Sequence, residues 1–201
     1  QKIKEKNIPI ISEIEFAYQF SKAKIIAITG TNGKTTTTSL TYHILEKAGL
    51  DVGLGGNIGT SFARQVATGD KEYFVLELSS FQLDNCITFK PHIAILCNIT
   101  EDHLDRYNYQ FENYIQSKFS ISKNQTEQDY FIYCADDEVS IQYLHKANPK
   151  VSKIPFSYYK EVKEGAYVSN QEIIIQLNKT NFIMPISELS IPGIHNSYNS
   201  M

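Results

Sequence analysis

Short, nearly unbroken apolar runs recur along the chain: Ile25–Ile28, Tyr73–Leu78, Ile93–Ile99 and Tyr130–Cys134. A strand with one wet face alternates apolar and polar residues, so runs of this kind predict strands covered on both faces, as in a parallel sheet. Asp51–Leu54 predicts one more short strand, running into Gly55-Gly56-Asn57-Ile58-Gly59. Between the runs the spacing becomes helical. Glu13–Phe20 carries a helical pattern, Leu40, Ile44 and Leu45 share a helix face that Gly49 can end, and Phe111–Ile121 and Glu138–Lys146 predict two further helices. Strand and helix alternate, so the expected class is α/β, a mostly parallel sheet with flanking helices. From about Gly165 the helices drop out. Ala166–Val168, Glu172–Leu177 and Asn181–Met184 are short strands joined by Ser169-Asn170 and Asn178-Lys179 turns. They predict a small antiparallel sheet appended to the main one.

The first apolar run feeds Thr29-Gly30-Thr31-Asn32-Gly33, then Lys34 and the hydroxyl run Thr35–Thr38. Glycine lets the backbone curl and approach a ligand, and a helix that opens there presents free N–H groups at the positive end of its dipole. A strand, a glycine turn, Lys-Thr and a helix therefore predict a P-loop-type sheet holding a nucleoside triphosphate. Lys34 would reach the terminal phosphates and the Thr35 hydroxyl would ligate Mg²⁺. The spacing departs from the usual G-x-x-x-x-G-K-[ST]: five positions before Gly33 stands Ile28, and the leading glycine is Gly30. The bland alternative is an ordinary strand–helix turn that happens to contain Gly-Lys-Thr. The strand context and paired hydroxyls favour the phosphate.

Composition narrows the partners. A net charge of -3 argues against nucleic acid and acidic membranes, both of which call for a basic excess. No apolar run reaches membrane-spanning length, and neither a signal nor a transit peptide is visible. Three scattered cysteines, Cys86, Cys97 and Cys134, predict reduced thiols in a cytoplasmic protein, and a monomer is expected. Gln1 and Met201 both read as cut ends. The expected organisation is an incoming linker over residues 1–24, then a central nucleotide-binding domain over 25–201 that stops before a third domain. Such a fragment is expected not to turn over alone.

In parallel sheets ligands sit beyond the carboxyl ends of the strands, and polar residues gather there in this sequence. Glu77 lies inside an apolar run just before Ser79-Ser80, either as a paired structural carboxylate or as a Mg²⁺ ligand. Asn98-Ile99-Thr100-Glu101-Asp102-His103-Leu104-Asp105 closes another run. His103 reads equally as a solvated loop residue or a member of a catalytic cluster. Asn57, between glycines, is a turn residue or a substrate contact. Lys118 by itself reads as a surface lysine.

Together these residues resemble the Mur ligase family, the ATP-dependent peptide-bond-forming enzymes of peptidoglycan precursor synthesis. Gly30-Thr31-Asn32-Gly33-Lys34-Thr35-Thr36 is similar to that family's shortened phosphate loop. Ser12-Glu13-Ile14-Glu15, Gly55–Gly59, Glu77-Leu78-Ser79-Ser80-Phe81-Gln82-Leu83, Thr100–Tyr107 and Gly193-Ile194-His195-Asn196 resemble the members that join D-glutamate to UDP-N-acetylmuramoyl-L-alanine. Other ligases of the family, and folylpolyglutamate synthetases, share the phosphate turn but differ around Glu77 and Asn57. The resemblance implies ATP and two Mg²⁺ sites. Gly30 to Thr36, Asn196 and Asn199 would hold the nucleotide, with Lys34 on the phosphates and the two asparagines near adenine. Thr35 and Glu77 would hold one Mg²⁺, and His103 with a carbamylated Lys118 the second. Asn57 and Ser79 would face the UDP-sugar. The other classes left open are a different P-loop enzyme, such as a kinase or NTPase, and a nucleotide-binding module without catalysis.

Overall fold

The computed structural model describes residues 8–148 and 150–201. Residues 1–7 of the stretch read as a linker therefore lie outside the described residues. Among the described residues nine strands form one sheet. These are β1 (Lys24–Thr29), β2 (Val52–Gly56), β3 (Tyr73–Glu77), β4 (Ile93–Leu96), β5 (Tyr130–Cys134), β6 (Ser152–Ser157), β7 (Gly165–Ser169), β8 (Glu172–Leu177) and β9 (Thr180–Pro185). Their order is β2-β3-β1-β4-β5-β6-β7-β8-β9. All pairings from β2 through β7 are parallel, and β7-β8 and β8-β9 are antiparallel. The antiparallel strands are continuous with the main sheet, because Phe156 and Ser157 of β6 pair with Ala166 and Tyr167 of β7.

The helices are α1 (Glu13–Tyr18), α2 (Lys34–Lys47), α3 (Phe62–Thr68), α4 (Ser80–Asp84), α5 (Phe111–Phe119), α6 (Glu138–Gln142) and α7 (Ile194–Ser200). Period-2 alternation in β1 divides them between two faces. Ile25 and Ala27 join a large core with Ile14 of α1, Phe62 of α3, Leu83 of α4 and Tyr114 and Phe119 of α5. Ile26 and Ile28 face the other way, with Tyr42 and Leu45 of α2 packed against them. The chain leaves β1 through α2 to the β2 side of the sheet and later returns to β4 on its other side. The turn after β1 therefore opens at the place where the direction of winding changes, which is where doubly wound sheets bind ligands.

Three elements escaped the patterning. Strand β6 reads Ser-Lys-Ile-Pro-Phe-Ser, with no apolar run to mark it, and α3 and α4 are too short for a helical period to show. Several predicted elements end earlier than expected, β4 and α6 the most. Strand β4 ends at Leu96 rather than Ile99, because the next residues bond to the phosphate turn instead of a strand neighbour: Thr31 N–H donates to the Asn98 carbonyl at 2.9 Å. Helix α6 stops at Gln142 and gives way to a 3-10 turn over Leu144–Lys146.

Helix α1 is tied into this fold by Glu15, which is 1 % exposed. Its carboxylate accepts from the N–H groups of Ile87 (2.9 Å), Thr88 (2.9 Å) and Phe89 (2.8 Å) and from the Thr88 hydroxyl (2.6 Å). Burial pushes its pKa up, but the hydrogen bonds from Thr88, Phe89 and Ile87 outweigh burial and hold it below the ordinary value. A depressed pKa contributes stability that is present above the unfolded-state value and is lost as pH falls through the folded one. Glu15→Gln replaces one acceptor oxygen by a donor facing donors, so urea denaturation near pH 7 should show a loss of about 2–3 kcal/mol. The gap should narrow as pH drops below ~4.5, the ordinary carboxylate value. Equal stability of the two proteins at pH 7 would contradict this account.

Candidate nucleotide site

The phosphate turn is packed closely against the end of β4 and against α7, and its two glycines are obligatory. Gly30 sits at φ +151, where an added Cβ would stand 2.9 Å from Cys97 Cβ. Gly33, the N-cap of α2, sits at φ +82, in the left-handed region, and an added Cβ would meet Asn199 Oδ1 at 2.5 Å. The Lys34 ammonium lies over the turn, donating to the carbonyls of Gly30 (2.9 Å) and Thr31 (2.8 Å). Beneath it the Thr31 hydroxyl donates to the Thr100 carbonyl at 3.1 Å and lies 3.2 Å from the Tyr114 hydroxyl.

Parallel register brings Glu77 beside this turn, since Ile28 pairs with Glu77 and Glu77 with Gly56. Glu77 is 2 % exposed, and both its oxygens are engaged. Oε2 accepts from the Thr35 hydroxyl at 2.7 Å and Oε1 from the Asn57 side-chain amide at 2.8 Å. Asn57 is thus held twice, because its N–H also donates to the Glu77 carbonyl at 2.8 Å.

Lys34, Asn57, Ser79, His103 and Lys118 converge on one cavity of about 160 Å³. Ser79 caps α4 in a reciprocal arrangement with Gln82, its hydroxyl accepting from the Gln82 N–H at 3.3 Å while Gln82 Oε1 accepts from the Ser79 N–H at 3.0 Å. His103 has a left-handed backbone, φ 50, and its ring stands 5.2 Å from that of Phe81. The Asp102 carboxylate lies 3.5 Å from His103 Nε2.

Lys118 departs most from its sequence reading. It is a buried residue, 2 % exposed, rather than a surface lysine, because α5 turns that side inward toward the phosphate turn. Its ammonium donates to the Gly30 carbonyl at 2.8 Å and stands 4.5 Å over the Tyr114 ring. Burial, and then the neighbouring Lys34 charge, pull its pKa down to about 7. Cys97, enclosed below the turn, is pushed up to about 11 by burial and stays a thiol.

The two asparagines of α7 divide. Asn199 reaches the turn and accepts from the Thr37 hydroxyl at 3.3 Å. It also lines a second, mostly apolar cavity of about 250 Å³, bounded by Leu45, Ile95, Ile132 and Tyr198. Asn196 lies one helical turn earlier, with its amide donating to the Pro192 carbonyl at 3.0 Å. Phe81, Tyr114 and Asn98 are among the residues at the site that went unassigned in the sequence. Phe81 and Tyr114 look like any core aromatic in a linear chain. Asn98 carried a usable signal, as a polar residue at the end of an apolar run.

A shortened glycine turn against Cys97 and Asn98, Glu77 bridging Thr35 to Asn57, and a buried lysine sharing a carbonyl with Lys34 form one constellation. Residues 28–201 match the family model described as the Mur ligase middle domain. The chain belongs to the Mur ligase family. It is 56 % identical over 200 residues to the UDP-N-acetylmuramoylalanine–D-glutamate ligase of Christiangramia forsetii, covering 100 % of this chain and 45 % of that protein. The Streptococcus mutans enzyme of the same name is 43 % identical over 199 residues, covering 98 % and 42 %. The chain thus spans less than half the length of these curated relatives. Among solved Mur ligases, the MurF ligase of Thermotoga maritima in complex with ADP aligns with a TM-score of 0.65 at 18 % identity, covering 94 % of this chain and 46 % of that one. The UDP-N-acetylmuramate:L-alanyl-gamma-D-glutamyl-meso-diaminopimelate ligase (MPL) of Neisseria meningitides aligns at 0.69 and 19 %, covering 99 % and 66 %. These likenesses establish the Mur ligase middle-domain fold.

Proposed function

We propose that this chain is the ATP-binding part of a ligase that adds D-glutamate to UDP-N-acetylmuramoyl-L-alanine. The observation that carries the reading is the convergence of Lys34, Asn57, Ser79, His103 and Lys118 on one cavity, in a chain whose relatives bear that name. In the proposed reaction a substrate carboxylate oxygen attacks the terminal phosphorus of ATP, and the bond to the ADP oxygen breaks. The D-glutamate amine then attacks the acyl phosphate carbon, loses its extra proton, and the tetrahedral intermediate expels phosphate. The backbone N–H groups opening α2 and the Lys34 ammonium meet the charge of the transferring group. Asn57 and Ser79 would hold the UDP-sugar in line with it, while Asn199 would approach the adenine from α7, with Asn196 joining it only on leaving the Pro192 carbonyl.

The donor set suits Mg²⁺. Thr35 and Glu77 offer two hard oxygen ligands 2.7 Å apart beside the phosphate turn. An ion held by these two would complete its coordination with substrate phosphates and water. His103 and Lys118 would hold a second ion once Lys118 carries a carbamate, since an ammonium repels a cation. Bound there, the ions would neutralise the charge that builds on the phosphoryl oxygens. Among the described residues no helix is long and apolar enough to cross a membrane.

The test is an amino-acid panel with the full-length protein, ATP, Mg²⁺ and the UDP-substrate. Phosphate release should depend strictly on D-glutamate, and the 201-residue chain alone should make no product. Release without an amino acid would point to an NTPase, and preference for another amino acid to a different Mur ligase.

A further inference from the structure

Asn98, just past the end of β4, grips the phosphate turn on both of its hydrogen-bonding sides. Its Oδ1 accepts from the Asn32 N–H at 2.9 Å, and its Nδ2 donates to the Asn32 carbonyl at 3.1 Å. Its own carbonyl takes the Thr31 N–H at 2.9 Å. The turn has no slack in this direction, because a Cβ on Gly30 would stand 3.3 Å from both Asn98 N and Asn98 O. Only a carboxamide offers an acceptor and a donor side by side in one plane, which is what a single residue's N–H and C=O require here.

These bonds lie at an exposed part of the surface, so they add little to the core. Their effect is geometric. They fix both backbone groups of Asn32, and with them the orientation of the peptides leading into Gly33 and Lys34. An N–H cradle binds phosphate well only when its donors are already aimed, since aiming them on binding costs conformational entropy.

We propose that Asn98 is a positioning residue for the phosphate turn, holding it in the shape that receives a nucleoside di- or triphosphate. This rests on the phosphate reading of the turn. In the full-length protein, calorimetric titration with Mg-ADP should show affinity about tenfold weaker for Asn98→Ala, as expected for losing a pair of modest hydrogen bonds. KM for ATP should rise in parallel while KM for the UDP-substrate stays within about twofold, a split expected of uniform nucleotide binding. Asn98→Asp fills the same space but sets a carboxylate against the Asn32 carbonyl and beside the polyphosphate, so it should bind Mg-ADP more weakly than the alanine variant. A merely structural role would reverse that order, the isosteric aspartate being the milder change. Both variants should keep thermal midpoints within a few degrees of wild type.

Wild-type protein that binds no Mg-ADP would overturn the phosphate reading, and this inference with it. Wild type that binds while both variants bind equally well would overturn the inference alone. So would an aspartate variant nearer wild type than alanine, or two variants that do not fold.

Discussion

Lys34→Ala in the full-length protein is expected to lose phosphoryl transfer by about 10²–10³-fold, the usual effect of deleting one preorganised donor at a developing anion. The Lys34 ammonium is already poised over the turn by the Gly30 and Thr31 carbonyls, so its charge needs little rearrangement to meet a phosphate. Its position at the first residue of α2 also adds to the positive end of the helix dipole. Removing it leaves that site with N–H groups alone. The fold should survive, because the side chain bonds only to the Gly30 and Thr31 carbonyls of the turn and joins none of the apolar clusters. Single-turnover transfer from ATP to the substrate carboxylate, measured beside thermal denaturation, separates the two effects. Near wild-type transfer would remove the turn from the mechanism.

Lys118→Ala should be nearly inactive, and small carboxylic acids should partly restore it. A buried amine with a pKa of about 7 is substantially neutral at physiological pH, where an ordinary lysine is not. The neutral nitrogen can attack CO₂, forming an N–C bond and releasing one proton, which leaves an anionic oxygen ligand of the kind Mg²⁺ prefers. The sign follows from the shift: the reactive form gains as pH rises through 7, whereas CO₂-free protein or acid favours the ammonium. A small carboxylate entering the space left by alanine would supply the missing oxygens. Lys118→Arg keeps a cation that is not deprotonated in proteins and cannot follow this route, so it should also be inactive. An arginine variant with full activity would reduce Lys118 to an ordinary positive charge. Carbamate content can be checked independently by ¹³CO₂ labelling of the wild-type protein.

The local order of this protein is written in its linear chain. The runs at Ile25–Ile28, Tyr73–Leu78 and Tyr130–Cys134 became β1, β3 and β5 because strands covered on both faces have no choice but continuous apolar sequence. The glycine turn was equally legible, since its backbone shape admits no side chain at Gly30 or Gly33. Polar residues that break apolar runs near strand ends marked Glu77 and, through the segment after β4, His103.

What the chain could not show is which distant residues share a carbonyl or a cavity. Lys118 reads as a surface residue until α5 is packed on the sheet and places its nitrogen on the Gly30 carbonyl, 88 positions away. Glu15 reads as one more acidic residue of a short helix until the turn at Ile87–Phe89 closes over it. Strand β6 needs β5 and β7 on either side to be a strand at all, and Asn199 needs α7 laid beside α2 to touch the phosphate turn. Apolar periodicity and glycine geometry are properties of neighbours along the chain, so one sequence suffices to read them. A lysine's charge state, or a carboxamide's choice of partners, is set by desolvation and by groups brought in from other elements, and those exist only once the sheet has been wound.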